Sequence, residues 1–156
     1  MSNEVTITAD ELVPTIEMTR EFDAPADRVY RAWTDPELFA QWVGPRDLST
    51  RIDQWDASTG GHYRFTNIRG DDEFGFYGSF HELRPNERIV QTFCWDGQPD
   101  EVALETVVFE DLDDGRSRIH SVSRAGTFEA RDGMLASGMD QGVREGYEKL
   151  DELLAR

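Results

Sequence analysis

GMLASGMDQGVREGYEKLDELLAR, residues Gly133–Arg156, is the stretch whose reading decides the fold. Leu135, Met139, Val143, Tyr147, Leu150, Leu153 and Leu154 recur at intervals of mostly three and four, the spacing of one face of an amphipathic helix. Asp140, Arg144, Glu145, Glu148, Lys149, Asp151 and Glu152 mostly fill the opposite arc. Gly138, Gly142 and Gly146 repeat every fourth position, so one continuous helix would align them on one side. Glycine within a helix costs about 1 kcal/mol relative to alanine, so three of them call for a reason. Two are open: close packing against a sheet, or space left for a ligand.

Ahead of this helix, Leu48–Arg124 reads as strands and turns only. The segments Leu48–Asp56, His62–Ile68, Phe74–Leu83, Ile89–Trp95, Val102–Leu112 and Ser117–Arg124 are separated by Gly60-Gly61, Gly70–Glu73, Pro85-Asn86, Gly97–Asp100 and Asp113-Asp114-Gly115. Alternation puts Tyr63 with Phe65; Ile89 with Gln91, Phe93 and Trp95; and Val107 with Phe109. Gly75 and Gly78 suggest a bend or bulge. Upstream, Thr15–Phe22 alternates Ile16, Met18 and Phe22 with Glu17, Thr19 and Glu21. Two short helices follow over Asp27–Thr34 and from Pro36, the second capped by Asp35 and stopped at Gly44-Pro45. Residues 1–14 form a polar arm or an added edge strand, and residues 15–156 form one domain. The order predicts an α+β fold: a curved antiparallel sheet of about six or seven strands wrapped around a long C-terminal helix, with two short helices after the first strand.

With 156 residues, 38% hydrophobic and 11% aromatic, the chain can bury a sizeable core. Its net charge of -16 repels phosphate backbones and anionic surfaces, which argues against nucleic-acid and membrane partners. Cys94 is the only cysteine, so no internal disulfide forms, and Lys149 is the only lysine. The start, MSNEVTITADEL, has no signal-like run, and a cytoplasmic location is expected. No metal motif, Walker loop, dinucleotide fingerprint or nucleophile elbow occurs, so neither metal nor cofactor is expected.

FDAPADRVYRAWTDPELFAQWVGP at Phe22–Pro45, Gly60-Gly61-His62-Tyr63-Arg64-Phe65, Gly78-Ser79-Phe80 leading to Glu82-Leu83-Arg84-Pro85, Thr92-Phe93-Cys94-Trp95, and Gly146-Tyr147 with Leu150-Asp151 occur in this order. Together they resemble the SRPBCC superfamily, the helix-grip proteins related to START domains and birch-pollen allergens. Within it they are similar to the C-terminal domain of the activator of the ninety-kilodalton heat-shock chaperone ATPase. Tyr147 stands where that group often has tryptophan. The chain has no counterpart of the activator's separate N-terminal domain, so chaperone stimulation is not the expectation.

The resemblance implies a pocket between sheet and long helix. Residues placed to line it are Trp42, Tyr63, Phe65, Phe76, Phe80, Phe93, Trp95, His120, Met139, Gly142, Val143, Gly146 and Tyr147. Large aromatics there can stack on a planar ligand or simply fill the core. One of the strand carboxylates Glu82, Glu105 and Glu110 is a candidate to point inward with a raised pKa. The leading expectation is binding of a small hydrophobic or aromatic molecule. The alternatives are a cyclase- or dehydratase-like enzyme using Tyr147, His120 or a buried glutamate, and a chaperone-associated interaction module. Monomer and homodimer both remain open.

Overall fold

The computed structural model describes residues 3–156; the first two residues of the expected N-terminal arm lie outside the described residues. Eight strands form one antiparallel sheet: β1 (Thr6–Ala9), β2 (Thr15–Phe22), β3 (Ser49–Trp55), β4 (His62–Arg69), β5 (Asp72–Arg84), β6 (Arg88–Trp95), β7 (Val102–Asp111) and β8 (Ser117–Arg124), in the spatial order β1-β2-β8-β7-β6-β5-β4-β3. The arm does supply an edge strand, β1, which accounts for the count above seven. Helices α1 (Ala26–Thr34) and α2 (Pro36–Trp42) carry the chain from β2 to the far edge, while α3 (Phe128–Ala136) and α4 (Met139–Leu154) follow the sheet.

Period-two alternation decides which side chains enter the core. Ile16, Met18, Arg20 and Phe22 stand opposite Ser123, Ser121, Ile119 and Ser117, and these in turn stand opposite Glu105, Val107, Phe109 and Asp111. Opposed residues share a face, so this register defines the inner surface. The α1–α2 junction is set locally: Asp35 Oδ1 accepts from the Glu37 amide at 2.9 Å, with Pro36 in the first turn. The indole of Trp42 donates to the carbonyl of Ala32 at 2.9 Å, which ties the two short helices to each other.

The expected single helix over Gly133–Arg156 is instead two. Ser137 ends α3, and Gly138, at φ +85°, takes the left-handed conformation that an α-helix cannot continue through. Residues 128–132, ahead of the expected helix, belong to α3, whose cap is the Thr127 hydroxyl accepting from Ala130 N at 3.0 Å. The three glycines therefore do not share one helical side: Gly138 makes the elbow, and only Gly142 and Gly146 lie in α4.

Those two glycines face neither sheet nor ligand space. A Cβ on Gly146 would sit 3.0 Å from the Trp42 carbonyl oxygen and 3.5 Å from Gly44 N, and one on Gly142 would sit 3.5 Å from Pro45 Cδ. The backbone approaching α4 is thus the tail of α2. The same face of α4 holds that loop with polar contacts: Glu145 Oε1 accepts from Arg46 N at 2.9 Å, and Lys149 Nζ lies 3.4 Å from the carbonyls of Val43 and Pro45.

Candidate functional site

At the C-terminal end of α4 the interior is closed. Tyr147 meets Phe22 at 5.6 Å and both Trp33 and Trp42 at 6.1 Å, Trp33 meets Phe109 at 5.6 Å, and Leu150 is fully buried. Into this block Arg20 inserts an almost fully buried guanidinium, 3% exposed. It forms a two-pronged pair with Asp151 at 2.6 and 2.7 Å and lies 4.7 Å above the Phe22 ring. Such a geometry pairs the two charges and ties α4 to β2, with the buried Arg20 Nε left without a hydrogen-bond partner.

Toward the α3–α4 elbow the interior is less filled. Tyr63, Phe65, Phe76 and Phe93 form a stacked ladder across β4, β5 and β6, with centroid separations of 6.2, 5.3 and 5.3 Å. Tyr63 and Phe65 are buried, but Phe76 and Phe93 keep part of their surface accessible, as do Met134, Leu135, Met139 and Val143 on the helices. Beside the ladder runs a transverse row in which Ser123, Glu105, Gln91 and Phe80 are successive cross-strand partners. Gln91 Nε2 donates to Glu105 Oε1 at 3.2 Å and the Ser123 hydroxyl to Oε2 at 3.5 Å. Burial pushes the Glu105 carboxyl up to about 6, against the opposing pull of those two hydrogen bonds. Of the three strand glutamates considered, Glu105 is the inward one. Glu82 lies between Arg84 and Arg88, which lower its pKa, and Glu110 pairs with Arg118 at 2.9 Å. The tyrosines feel the same carboxylate: burial, reinforced by Glu105, raises Tyr63 and Tyr147 well above the usual phenol range, with Arg20 opposing the shift at Tyr147.

The expected lining residues divide into groups. Phe65, Phe76 and Phe93 belong to the ladder, and Phe76, Phe93, Met139 and Val143 are only partly buried. Tyr63 is buried there, its hydroxyl donating to the Thr92 carbonyl at 2.6 Å. Phe80, Trp42 and Tyr147 are core, and Gly142 and Gly146 are contacts for the α2 tail. Two placements are overturned. His120 faces outward, because Ile119 and Ser121 take the inner positions of β8; its ring lies 3.0 Å from the Thr19 hydroxyl and 3.7 Å from Glu17. Trp95 shares the inner face with Phe76 but sits at the rim, 40% exposed, its indole folded over Gly97 of the following turn.

A hollow of about 310 Å³ lies elsewhere, on the outer face of the sheet, rimmed by Gln54, His62, Arg64, Ser79 and Thr92. Gly78 also lines it; a Cβ there would come within 2.0 Å of the Thr92 carbonyl oxygen, and the bulge proper falls later, between Phe80 and Glu82. Cys94, buried there, directs its sulfur at the carbonyls of Trp95, Gln98 and Pro99 at 3.5 to 3.7 Å. Among the described residues, no group of three or more potential ligands is placed to hold a metal ion, and no helix is long and apolar enough to cross a membrane.

Sequence reasoning missed Arg20 and the Ser117, Ser121 and Ser123 positions as inner residues. Parity alone would have found Arg20, two residues from both Met18 and Phe22, whereas the serines carry no hydrophobic mark that fixes the phase of β8.

The fold has many solved counterparts. Protein CV1439 from Chromobacterium violaceum superposes with a TM-score of 0.79 at 27% identity, over 91% of this chain and 98% of that one. A Rhodobacter sphaeroides protein gives 0.88 at 24% identity over 97% and 99%, and protein Ms6760 from Mycobacterium smegmatis gives 0.87 at 22% over 96% of each. No curated protein matches the chain. The family model described as activator of Hsp90 ATPase homolog 1-like protein matches residues 23–155. With that match spanning nearly the whole domain, and with the sheet, short helices and C-terminal helix arranged as above, the chain belongs to the activator of Hsp90 ATPase homolog 1-like family.

Proposed function

We propose that the protein binds a small apolar or aromatic molecule at the half-open end of the grip, between the Phe65–Phe76–Phe93 ladder and the α3–α4 elbow. The observation that carries this reading is the incomplete burial of apolar surface there, on both sheet and helices, while the opposite end is packed shut. Apolar walls with few polar groups are the usual character of small-molecule sites. Phe76 and Phe93 stack at 20°, presenting a flat edge to a planar guest. The elbow at Gly138 joins two helices that carry the opposing wall, Met134 and Leu135 on α3 and Met139 and Val143 on α4.

Methyl- and aromatic-resolved NMR titration against a panel of planar hydrophobic compounds tests the reading. Perturbations centred on Phe76, Phe93, Met139 and Val143 support it. Perturbations confined to the outer hollow at Cys94 and Tyr77, or none across the panel, refute it.

A second reading, interaction with a protein partner such as a chaperone, draws on the outer face. There Val102, Leu104 and Val108 of β7 are exposed apolar residues flanked by Val90 and Val122. Exposed apolar strips rimmed by charge are features of protein contacts. Affinity capture at physiological salt with wild type and Leu104→Lys distinguishes it: a partner lost only in the variant supports this reading, and no partner with either refutes it.

A further inference from the structure

Beside the half-open end stands one feature that a purely apolar guest would not need: a carboxylate on the inner face, one row from Phe93. Glu105 lies on the inner face between Gln91 and Ser123, and its only side-chain hydrogen bonds come from these two neutral groups. Among the described residues no arginine, lysine or histidine pairs with it. Arg20, the buried cation on the same face, is committed to Asp151, and Arg131 of α3 turns to the carbonyls of Asp10 and Thr15. A carboxylate offers about four acceptor positions, so two neutral donors leave capacity unused. In the next row Ser121, 6% exposed, has a hydroxyl with no partner. A partly buried carboxylate without a counter-charge is costly unless one arrives.

We propose that this site selects apolar molecules carrying a protonated amine, with the ammonium held by Glu105 and the apolar body laid over Phe76 and Phe93. The inference rests on the ligand-binding reading above and names the ligand class. An ammonium brings three donors and the missing positive charge, and a flat body fits the ladder edge. The long-range field agrees: a net charge of -16 concentrates small cations around the protein.

The pH behaviour follows from the groups that face Glu105. Gln91 and Ser123 do not titrate, Tyr63 from β4 and Tyr147 from α4 are held protonated by burial, and Arg20 and Asp151 are paired to each other. His62, His81 and His120 are exposed. Proton loss from Glu105 is therefore the event that switches on cation binding inside the chamber, and the preference for amines grows as pH rises through its titration.

The test compares 1-naphthylmethylamine with its neutral isostere 1-ethylnaphthalene by isothermal titration on the full chain, in roughly 0.3 M salt to screen the surface field. Wild type is expected to favour the amine by about tenfold or more near pH 7.5. That ratio should shrink toward one near pH 5, and in Glu105→Gln at either pH. Equal affinities near pH 7.5, or an amine preference that survives lower pH or the substitution, overturn the amine inference while leaving the binding site intact. If neither compound binds wild type, the ligand-binding reading falls and this inference with it. Should Glu105→Gln fail to fold, the wild-type pH profile decides alone.

Discussion

Replacing Glu105 with glutamine should stabilise this protein at alkaline pH and leave it almost unchanged in acid. The carboxyl titrates near 6 when folded against an ordinary value of 4.5, and burial is the cause. Between these values the folded chain holds the proton that the unfolded chain releases. The associated stability is fully present below about 4.5 and is lost as pH rises through about 6. A difference of about 1.5 pH units corresponds to about 2 kcal/mol at the alkaline end. Water reaching the half-open chamber lowers this toward about 1 kcal/mol. Glutamine keeps the shape, accepts from Gln91 through its carbonyl and can donate to the Ser123 hydroxyl, so the charge is what the substitution removes. At this chain length each kcal/mol moves Tm by roughly 2–4 °C, so the variant should melt about 2–8 °C higher near pH 8. Near pH 4 the two should melt together within about 1 °C. Circular-dichroism melts of both proteins across that range provide the assay. Any packing change from the amide is common to both pH values and cancels in the comparison. A Tm difference independent of pH, or a variant less stable near pH 8 than near pH 4 relative to wild type, would refute the placement of an ionised, partly buried carboxylate on the inner face. The result also bears on function, because a charge retained against stability marks a position kept for another purpose.

Gly146→Val should cost about 2–3 kcal/mol in a denaturant titration, because the Cβ alone reaches 3.0 Å from the Trp42 carbonyl and that backbone is itself held by α4; a neutral result would show that α4 does not grip the α2 tail. Gly78→Ala places its Cβ 2.0 Å from the Thr92 carbonyl oxygen and should cost about 3 kcal/mol or more, read as loss of soluble folded protein or a greatly lowered Tm; wild-type stability would contradict the β5–β6 geometry. Asp151→Asn leaves the Arg20 guanidinium buried without its charge partner. Asp151 is itself 35% exposed, so water moderates the loss to about 2–3 kcal/mol by urea unfolding, and the double variant Arg20→Met/Asp151→Leu should recover most of it.

Much of the candidate site was legible from strand parity. Tyr63 with Phe65, Gln91 with Phe93, and Val107 with Phe109 were placed on shared faces by counting in twos, and the sheet respects each pairing. The same count extends to Glu105, two residues before Val107, and to Arg20, between Met18 and Phe22. A polar side chain on an apolar face is the sequence signal for both. His120 was not resolvable that way, because Ser117, Ser121 and Ser123 carry no hydrophobic mark to say that Ile119, and not His120, is in phase with the core. Trp95 had the right parity and the wrong depth: its position at the end of β6 puts it at the rim, and depth along a strand depends on where neighbouring strands end.

By itself the sequence determined the class of most segments and the order of the strands and short helices, because helix and strand periods, caps such as Asp35, and turns such as Asp113-Asp114-Gly115 are local properties of the chain. The tertiary structure alone decided that the C-terminal segment bends at Gly138, that Gly142 and Gly146 receive the tail of α2, and that Glu105 has two neutral donors and no cation. The reason is sequence distance. Arg46 meets Glu145, and Arg20 meets Asp151, across more of the chain than any periodic pattern spans. Which backbone approaches a glycine, and which charge stays unpaired, is settled only when segments that distant close on one another.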